Sequence, residues 1–265
     1  MSRLEWRGLA LTRGGRPALA GLTLTLAPGE LLGIVGPNGA GKSALLRCAV
    51  GLDRPGAGAV LLDGRPLPDW SAGERARRIA YLPQSAEAPW PIPVAAAVAL
   101  GRLPHGDADR PSGRAAVARA LAAVGIEALA GRALTALSGG ERALALLARA
   151  LAVEADLLLL DEPLAALDPH RQLAVLDLLT SQAAAGRSVG LVLHDLTLAA
   201  RFCSRVALLA GGKLLAAGPP AVALSDARLA EAYAIRAHRA EIEGEALLVP
   251  WRREDAGSAR TRQGP

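Results

Sequence analysis

The stretch LLGIVGPNGAGKSALLRCAV, at residues 31–50, decides how this chain folds. Leu31 to Val35 is a short apolar run that predicts a buried strand, and the composition from Ala44 to Val50 favours a helix. The segment GPNGAGKS between them fits the pattern G-x-x-x-x-G-K-[ST], in which backbone N–H groups converge on a phosphate at a helix N-terminus. A glycine turn could match the pattern by chance, but its place between a strand and a helix predicts a nucleoside triphosphate site.

The residues of this loop have separate predicted roles. Lys42 would reach the outer phosphates, and the Ser43 hydroxyl would bind Mg²⁺. Lys42 and Lys213 are the only lysines in the sequence, since the other basic residues are arginines. The predicted phosphate-binding residues are Gly36, Pro37, Asn38, Gly39, Ala40, Gly41, Lys42 and Ser43.

Two carboxylates follow another apolar run, LLLLDE at residues 157–162. The run predicts a buried strand, and ligands gather beyond the ends of strands in open α/β sheets. Asp161 would hold Mg²⁺, directly or through water, and Glu162 would orient and deprotonate an attacking water. An acidic pair after a strand is more often a helix cap, but the glycine loop elsewhere in the chain favours the catalytic interpretation.

The sequence LSGGE at residues 137–141 precedes a segment with helical spacing of its apolar residues. Ser138 and Glu141 have the spacing of a capping box, which predicts a helix N-terminus. A cap does not need Gly139 and Gly140, and two glycines at a helix start let a ligand approach the backbone closely. This segment therefore predicts both a cap and a second anion site.

Strand-like and helix-like segments alternate along the chain as in an α/β fold. Sheet character dominates up to Leu82 and returns at residues 157–160 and 188–193, with a helix-like segment at residues 171–184 between them. Between about Gln84 and Leu151, alanine, leucine and arginine recur at helical spacing. We expect this part to form a helical subdomain inserted into the sheet domain.

The predicted organisation is one main domain at residues 1–225 and a C-terminal extension at residues 226–265. The end of the extension, from about residue 252, is basic and polar without periodicity, so we expect a disordered tail there.

Composition narrows the possible functions. The sequence has 265 residues, of which 51% are hydrophobic and 21% charged, which is typical of a folded globular protein. Its apolar runs are shorter than the roughly 18 to 20 residues of a membrane-spanning helix. No signal peptide is evident, so we expect a cytosolic chain. Cys48 and Cys203 predict two buried reduced thiols rather than a metal or disulfide site.

The motifs in this order resemble the ATP-binding cassette family, over roughly residues 4–225. The resemblance rests on GPNGAGKS, Gln84 in YLPQ, LSGGE, LLLLDEP, ALD at residues 166–168, and His194 after an apolar run. It implies a P-loop NTPase with a RecA-like sheet domain and an inserted helical subdomain. It also implies ATP and Mg²⁺ as ligands, and two copies that sandwich two ATP molecules head to tail.

The resemblance also implies roles for individual residues. Ser138 to Gly140 of one copy, with Glu141 completing the motif, would face the γ-phosphate held by Lys42 of the other. Asp168 would lie at the dimer interface. His194 would contact the γ-phosphate and help to position the water. Gln84 would touch Mg²⁺ and water and would link the nucleotide to the transport subunits.

Two segments resemble a narrower group, the ATPase subunits of importers for iron-siderophore complexes, haem and cobalamin. These segments are VALGRLPH at residues 98–105 and HDLTLAAR at residues 194–201. We expect an ATPase that energises import through separate membrane permease subunits, with an external substrate-binding protein, from the cytoplasmic face of the inner membrane. The first segment could also simply be a helix that ends before a proline turn.

Two other functions compete with import. A soluble cassette ATPase acting on ribosomes or nucleic acid would suit the net charge of +5, but such proteins usually carry two cassettes or a long coiled coil. The sequence has one signature motif and no long heptad run, so no nucleic-acid partner is expected. A regulatory module that does not hydrolyse ATP would lack Glu162 or His194, and this sequence has both.

One position departs from the family pattern. Many members place an aromatic residue upstream of the glycine loop to stack on adenine, and here that position is Arg13. A guanidinium plane can stack on a base but offers less apolar area than tyrosine. The nearby Trp6 is predicted to be a strand residue that packs on the sheet. We therefore expect adenine to contribute little to affinity.

Overall fold

The computed structural model describes residues 2–84 and 91–254. The strands are β1 (Leu4–Arg13), β2 (Arg16–Leu26), β3 (Leu31–Val35), β4 (Ala57–Leu62), β5 (Arg65–Pro66), β6 (Ile79–Leu82), β7 (Leu157–Asp161), β8 (Ser188–Val192), β9 (Arg205–Ala210), β10 (Lys213–Gly218), β11 (Ile235–Ile242) and β12 (Glu245–Arg253). The α-helices are α1 (Lys42–Ala49), α2 (Ala72–Arg78), α3 (Val94–Ala99), α4 (Pro111–Ala123), α5 (Gly139–Ala152), α6 (Pro169–Ala184), α7 (Leu196–Phe202), α8 (Pro220–Ala223) and α9 (Asp226–Tyr233). Short 3₁₀ segments occupy Leu67–Asp69, Leu100–His105, Glu127–Leu129 and Leu134–Ala136.

A six-stranded sheet in the order β10-β9-β3-β8-β7-β6 forms the centre of the molecule. β3 runs parallel to both β8 and β9, and β7 runs parallel to β6 and β8. Every residue of β3, β7 and β8 is buried, which explains their continuous apolar runs. The α/β fold class and these three strands are confirmed. Because the strands are parallel, the segments that follow them meet at one edge of the sheet.

A second, antiparallel sheet in the order β2-β1-β4-β5 lies on the other side of α1. Trp6 of β1 is fully buried, and its indole Nε1 donates a hydrogen bond to the carbonyl oxygen of Leu45 in α1 at 3.0 Å. The prediction that Trp6 is a packed strand residue is confirmed. This contact fixes the helix that follows the glycine loop.

The helical segments α3, α4 and α5 lie between β6 and β7 in the chain and pack on one another. Their apolar side chains, such as Val94, Leu121 and Leu147, belong to the same buried cluster as β7 and α6. Residues 85–90, at the start of the predicted helical subdomain, lie outside the described residues. None of the helices that the structure describes has the length and hydropathy needed to cross a bilayer.

The predicted disordered tail was expected to begin at about residue 252, but the last strand extends to Arg253. β11 and β12 form an antiparallel hairpin, and Arg252 and Arg253 are strand residues. Leu248 is 2% exposed, and its carbonyl oxygen accepts a hydrogen bond from the Thr197 hydroxyl at 2.5 Å. This packing on α7 orders a hairpin whose other residues are mostly exposed. The predicted tail beyond residue 254 lies outside the described residues.

Candidate nucleotide-binding site

The glycine loop after β3 presses tightly on neighbouring backbone. Gly36 has φ 153°, and a Cβ added there would lie 2.2 Å from the carbonyl oxygen of Leu209. Gly41 has φ 100°, and a Cβ there would lie 2.5 Å from the carbonyl oxygen of Ala18. Both positions therefore require glycine. Both contacts are with the backbone of other strands, β9 and β2, so they hold the loop, here called the cradle, in place.

The first turn of α1 is left open toward this cradle. Gly41 is the N-cap residue, and no side chain in the described part of the chain caps the helix. The first N–H groups of a helix lack intrahelical partners, and they carry the positive end of the helix dipole. An anion is the natural cap for such a helix start.

Lys42 adds a positive charge at the same place. Its side chain is buried, and its Nζ donates hydrogen bonds to the carbonyl oxygens of Gly36 at 2.7 Å and Pro37 at 3.2 Å. Burial lowers the pKa of Lys42, and the nearby carboxylates of Glu162 and Asp161 oppose that shift. The ammonium group is thus folded over the loop, where phosphate oxygens could replace the two carbonyls as acceptors.

Asp161 and Ser43 meet beside the lysine. The Asp161 side chain is buried, which raises its pKa, and a hydrogen bond from Ser43 acts in the opposite direction. Within residues 2–84 and 91–254, the Oδ1 atom of Asp161 has no hydrogen-bond partner. A buried, unpaired carboxylate oxygen beside a hydroxyl fits Mg²⁺, which binds one or two protein oxygens together with phosphates. The residues present therefore fit the metal.

Glu162 and His194 form a polar pair beside Asp161. Glu162 directly follows Asp161, and His194 follows β8, which is the neighbour of β7 in the sheet. His194 Nε2 lies 2.6 Å from Glu162 Oε1, and the exposed fractions of the side chains are 47% and 12%. Glu162 has φ 55°, a strained value for a residue other than glycine and one that often marks functional sites. Asp168, not the acidic pair, caps the next helix. The helix-cap alternative for Asp161 and Glu162 is therefore excluded by the structure.

Gln172 is a residue of this site that the sequence did not single out. It lines a cavity of about 130 Å³ together with Glu162 and His194. Its Nε2 donates hydrogen bonds to the carbonyl oxygens of Leu164 and Leu167, each at 3.2 Å. It thus holds the loop between Glu162 and α6. The available signal is a polar amide at the start of the helix-like segment predicted at residues 171–184, directly after the ALD motif.

Gln84 follows β6, and β6 pairs with β7 so that Leu82 lies beside Leu160. This register places exposed Gln84 at the same sheet edge as Asp161. His194 reaches this edge from β8, and the N–H of the preceding Leu193 donates to the carbonyl oxygen of Ile34. The sheet therefore brings together the loop after β3, the acidic pair, Gln84 and His194.

The LSGGE turn lies elsewhere, at the N-terminus of α5. Ser138 Oγ accepts a hydrogen bond from the Glu141 N–H at 3.3 Å, and Glu141 Oε2 accepts one from the Ser138 N–H at 2.8 Å. The predicted capping box is confirmed. A Cβ on Gly139 would meet nothing within 4 Å, so the backbone there is open.

Asp168 lies near this turn. Its side chain is the N-cap of α6 and accepts a hydrogen bond from the Arg171 N–H at 3.0 Å. A Cβ on Gly140 would lie 3.2 Å from the carbonyl oxygen of Ala166, two residues before Asp168. Among the hydrogen bonds and ion pairs of the described residues, none joins the turn or Asp168 to the glycine loop.

Arg13 lies at the end of β1, and its side chain is exposed. Its Nε is 4.0 Å from Asp53 Oδ2, and Asp53 also pairs with Arg47 of α1 at 2.9 Å. An exposed pair of this kind contributes at most about 1 kcal/mol. Arg13 is thus next to the helix that starts at the glycine loop and is weakly held.

Cys48 and Cys203 are buried and unlinked, as the sequence predicts. Burial raises the pKa of Cys48 to about 11 and that of Cys203 to about 12. Both thiols stay protonated at neutral pH, so neither is a ready nucleophile or metal ligand.

Comparison with known proteins adds sequence and structural relatives. Residues 19–165 match the ABC transporter family. The chain is 50% identical over 228 residues to the hemin import ATP-binding protein HmuV of Streptomyces coelicolor, covering 85% of this chain and 81% of that protein. It is 48% identical over 225 residues to the protein of the same name from Pseudomonas aeruginosa, covering 83% and 87%.

The solved structures agree on the architecture. One is an inward-facing conformation of a putative metal-chelate type ABC transporter, which matches with a TM-score of 0.79 at 26% identity, covering 95% of this chain and 98% of that chain. Another is the ATP-binding subunit of an ABC transporter, with a TM-score of 0.77 at 26% identity, covering 87% and 97%.

Proposed function

Because this chain belongs to the ABC transporter family and is an import ATPase of that family, we propose that the cargo of its importer is haem. The observation that carries the proposal is the 50% identity to a hemin import ATP-binding protein over 85% of this chain. Iron-siderophore complexes and cobalamin were the other cargoes suggested by the sequence. None of the residues of the nucleotide site distinguishes among the three.

We assign ATP binding to the glycine loop and the start of α1. The open N–H groups of the helix would cap the phosphates, and Lys42 would turn its N–H donors from Gly36 and Pro37 to the outer phosphates. Ser43 and Asp161 would hold Mg²⁺, with Gln84 at the same edge. The metal, when bound, neutralises part of the phosphate charge.

Glu162 is the proposed general base for hydrolysis. His194 donates to Glu162 Oε1, which leaves Oε2 to accept a proton from the attacking water. His194 is half exposed, so a γ-phosphate that enters from the open side could replace Glu162 Oε1 as the acceptor of its Nε2 N–H. Gln172 would keep the loop after Glu162 in place.

A second copy of the chain completes the proposed site. The resemblance to the family implies a dimer, and the backbone at Gly139 is open to a group from another chain. We assign Ser138 to Gly140 and Glu141 of one copy to the γ-phosphate held by Lys42 of the other. Asp168, next to that turn, would lie at the interface.

The import subunit works at a membrane through permease partners, as a peripheral protein. We propose the cytoplasmic face of the inner membrane as its location, with an external substrate-binding protein acting indirectly. We assign the permease contact to Leu103, whose side chain is exposed in the 3₁₀ segment that follows α3. The relatives support this import function over a role on ribosomes or nucleic acid.

The test of the cargo uses the whole importer. The chain is purified with its permease partners, reconstituted in vesicles, and assayed for ATP-driven uptake of hemin, a ferric siderophore and cobalamin. We expect uptake of hemin alone. Uptake of cobalamin or the siderophore without hemin would contradict the cargo and leave the ATPase assignment intact.

A further inference from the structure

The segment Leu100–His105, which carries the sequence GRLPH, is fitted to the last turn of α5. A Cβ added to Gly101 would lie 2.3 Å from the carbonyl oxygen of Arg149 and 3.2 Å from the Cβ of Ala152. No side chain fits between the two backbones at this point. The segment and the helix end are therefore in direct backbone contact.

Arg102 and His105 close the end of the same helix. Arg102 is 5% exposed, and its Nη1 donates to the carbonyl oxygen of Ala152 at 2.8 Å. His105 Nε2 donates to the carbonyl oxygen of Val153 at 2.9 Å. The last carbonyls of a helix lack intrahelical partners and carry the negative end of its dipole, so basic side chains stabilise them. Two residues of the segment thus act as a C-terminal cap for a helix far along the chain.

Each of the three nitrogens of the buried Arg102 guanidinium donates at least one hydrogen bond. Nε and Nη2 of Arg102 donate to the two oxygens of Asp107 at 3.0 and 2.9 Å, and Nη1 also donates to Glu154 at 2.9 Å. A bidentate pair of this kind fixes the orientation as well as the charge. The pair with Asp107 holds the guanidinium in place, and Nη1 then joins the segment to Ala152 and Glu154 at the end of α5.

The two ends of α5 lie in different surroundings. Its N-terminus is the Ser138 turn, and its 14 residues span about 21 Å to the end that Arg102 holds. Between Arg102 and Pro104, Leu103 points out with 69% of its surface exposed. The carbonyl oxygen of Pro104 accepts a hydrogen bond from Arg77 Nε of α2 at 2.7 Å.

We propose that Gly101, Arg102 and His105 form a clamp that makes Leu103 move together with α5. The clamp would link the turn that faces the nucleotide of the other copy to the surface that faces the permease. The inference rests on the proposed function, which places the permease contact at Leu103. Arg102 is in this sense a positioning residue, since it touches neither nucleotide nor cargo.

The test compares ATPase activity with and without the permease. Arg102→Lys keeps the charge but cannot reach Asp107, Ala152 and Glu154 together. We expect permease stimulation, the ratio of ATPase rate in the complex to that of the isolated chain, to fall by about 2- to 30-fold. The basal ATPase rate and the KM for ATP of the isolated chain should stay at wild-type values.

Matched variants separate the clamp from general destabilisation. Arg119→Ala removes an exposed ion pair to the same Glu154, at 2.7 Å, and should leave stimulation unchanged. His105→Ala should lower stimulation, and His105→Gln, which keeps an N–H donor, should restore it. If Arg102→Lys does not fold in a thermal melt, the histidine pair decides alone.

The outcomes are distinct. Wild-type stimulation in both Arg102→Lys and His105→Ala would overturn the clamp, as would a basal rate that falls in the same proportion as the stimulated rate. If the wild-type complex is stimulated by the permease but does not take up hemin, the proposed cargo fails while the clamp is still judged by the ratio. If the wild-type complex shows no stimulation at all, the permease link and the clamp both fail.

Discussion

The helices α1 and α5 both begin beside glycines, yet their N-termini are closed in different ways. α1 starts after Gly41, and no described side chain caps it, whereas Ser138 and Glu141 cap α5 by a complete capping box. Lys42 is the first residue of α1, whereas α5 contains no lysine. The first N-terminus therefore needs an anion to satisfy its N–H groups, and the second is stable without one.

This difference assigns the two regions different parts of the reaction. The α1 region should hold the nucleotide in a single chain, since its loop, lysine and carboxylates meet at one sheet edge. The α5 region is preformed and open at Gly139, so it should add to a nucleotide already bound to another copy. Loss of Lys42 in the α1 region should therefore weaken ATP binding, whereas changes in the α5 region should lower turnover and leave ATP binding by the single chain unchanged.

The largest effect is expected for Glu162→Gln. The amide keeps a contact with His194 but accepts no proton from water, so turnover should fall by about 10²- to 10⁴-fold while ATP binding persists. Trapped ATP should hold two chains together, which size-exclusion chromatography with Mg-ATP measures beside phosphate release. Glu231→Gln, at an exposed ion pair, is the control.

Undiminished phosphate release in Glu162→Gln would remove this residue from the role of base. If turnover is lost but no dimer forms, dimerisation of the isolated chain requires the membrane partners. Both results also test the role proposed for the α5 region, because the open turn at Ser138 would reach a nucleotide only in a dimer.

A smaller loss is expected for Lys42→Ala, and it should appear in binding. A hydrogen bond to a charged group contributes about 1.5 to 3 kcal/mol, which corresponds to a loss of roughly 10- to 150-fold in ATP affinity. Lys213→Ala, which removes the chain's other lysine at an exposed position of β10, is the matched control. Equal affinity of the two variants in equilibrium titration would show that the glycine loop does not depend on its lysine.

The substitution Arg13→Tyr should change how strongly the adenine base contributes to ATP affinity. Stacking on an aromatic ring is worth about 1 to 3 kcal/mol per base, and the weakly held Arg13 offers less apolar area. We expect the variant to bind ATP more tightly, while GTP competes well in the wild type. Competition between ATP and GTP on both proteins measures this. A strong preference for ATP in the wild type that Arg13→Tyr leaves unchanged would mean that another residue holds the base.

Short-range patterns made the starts of both α1 and α5 predictable. The strand at Leu31–Val35, the glycine loop and the capping box at Ser138 each depend on residues within about ten positions, and the structure has all three as expected. Asp161 and His194 could be placed at one edge because parallel strands end together. The roles assigned to these residues stay predictions.

Contacts between distant segments could not be predicted. Arg102 and His105 cap a helix about 50 positions away, and nothing in GRLPH indicates which carbonyls they meet. The strand positions of Arg252 and Arg253 were not predicted, because the sequence from about residue 252 is basic and polar without periodicity and both side chains are exposed. The strained φ of Glu162 likewise depends on the surrounding fold rather than on its own residue type.

The smallest effect, and the sharpest contrast between caps, is expected for Ser138→Ala. Ser71 and Glu74 form the same capping box at α2, with hydrogen bonds of 3.2 and 2.8 Å. Loss of either serine should lower the free energy of unfolding by about 0.5 to 2 kcal/mol, so Ser71→Ala controls for the cap itself. Only Ser138→Ala should also lower ATPase activity, and ATP affinity of the single chain should not change in either variant. Equal ATPase rates in the two variants, at equal losses of stability in urea denaturation, would mean that Ser138 serves its helix alone.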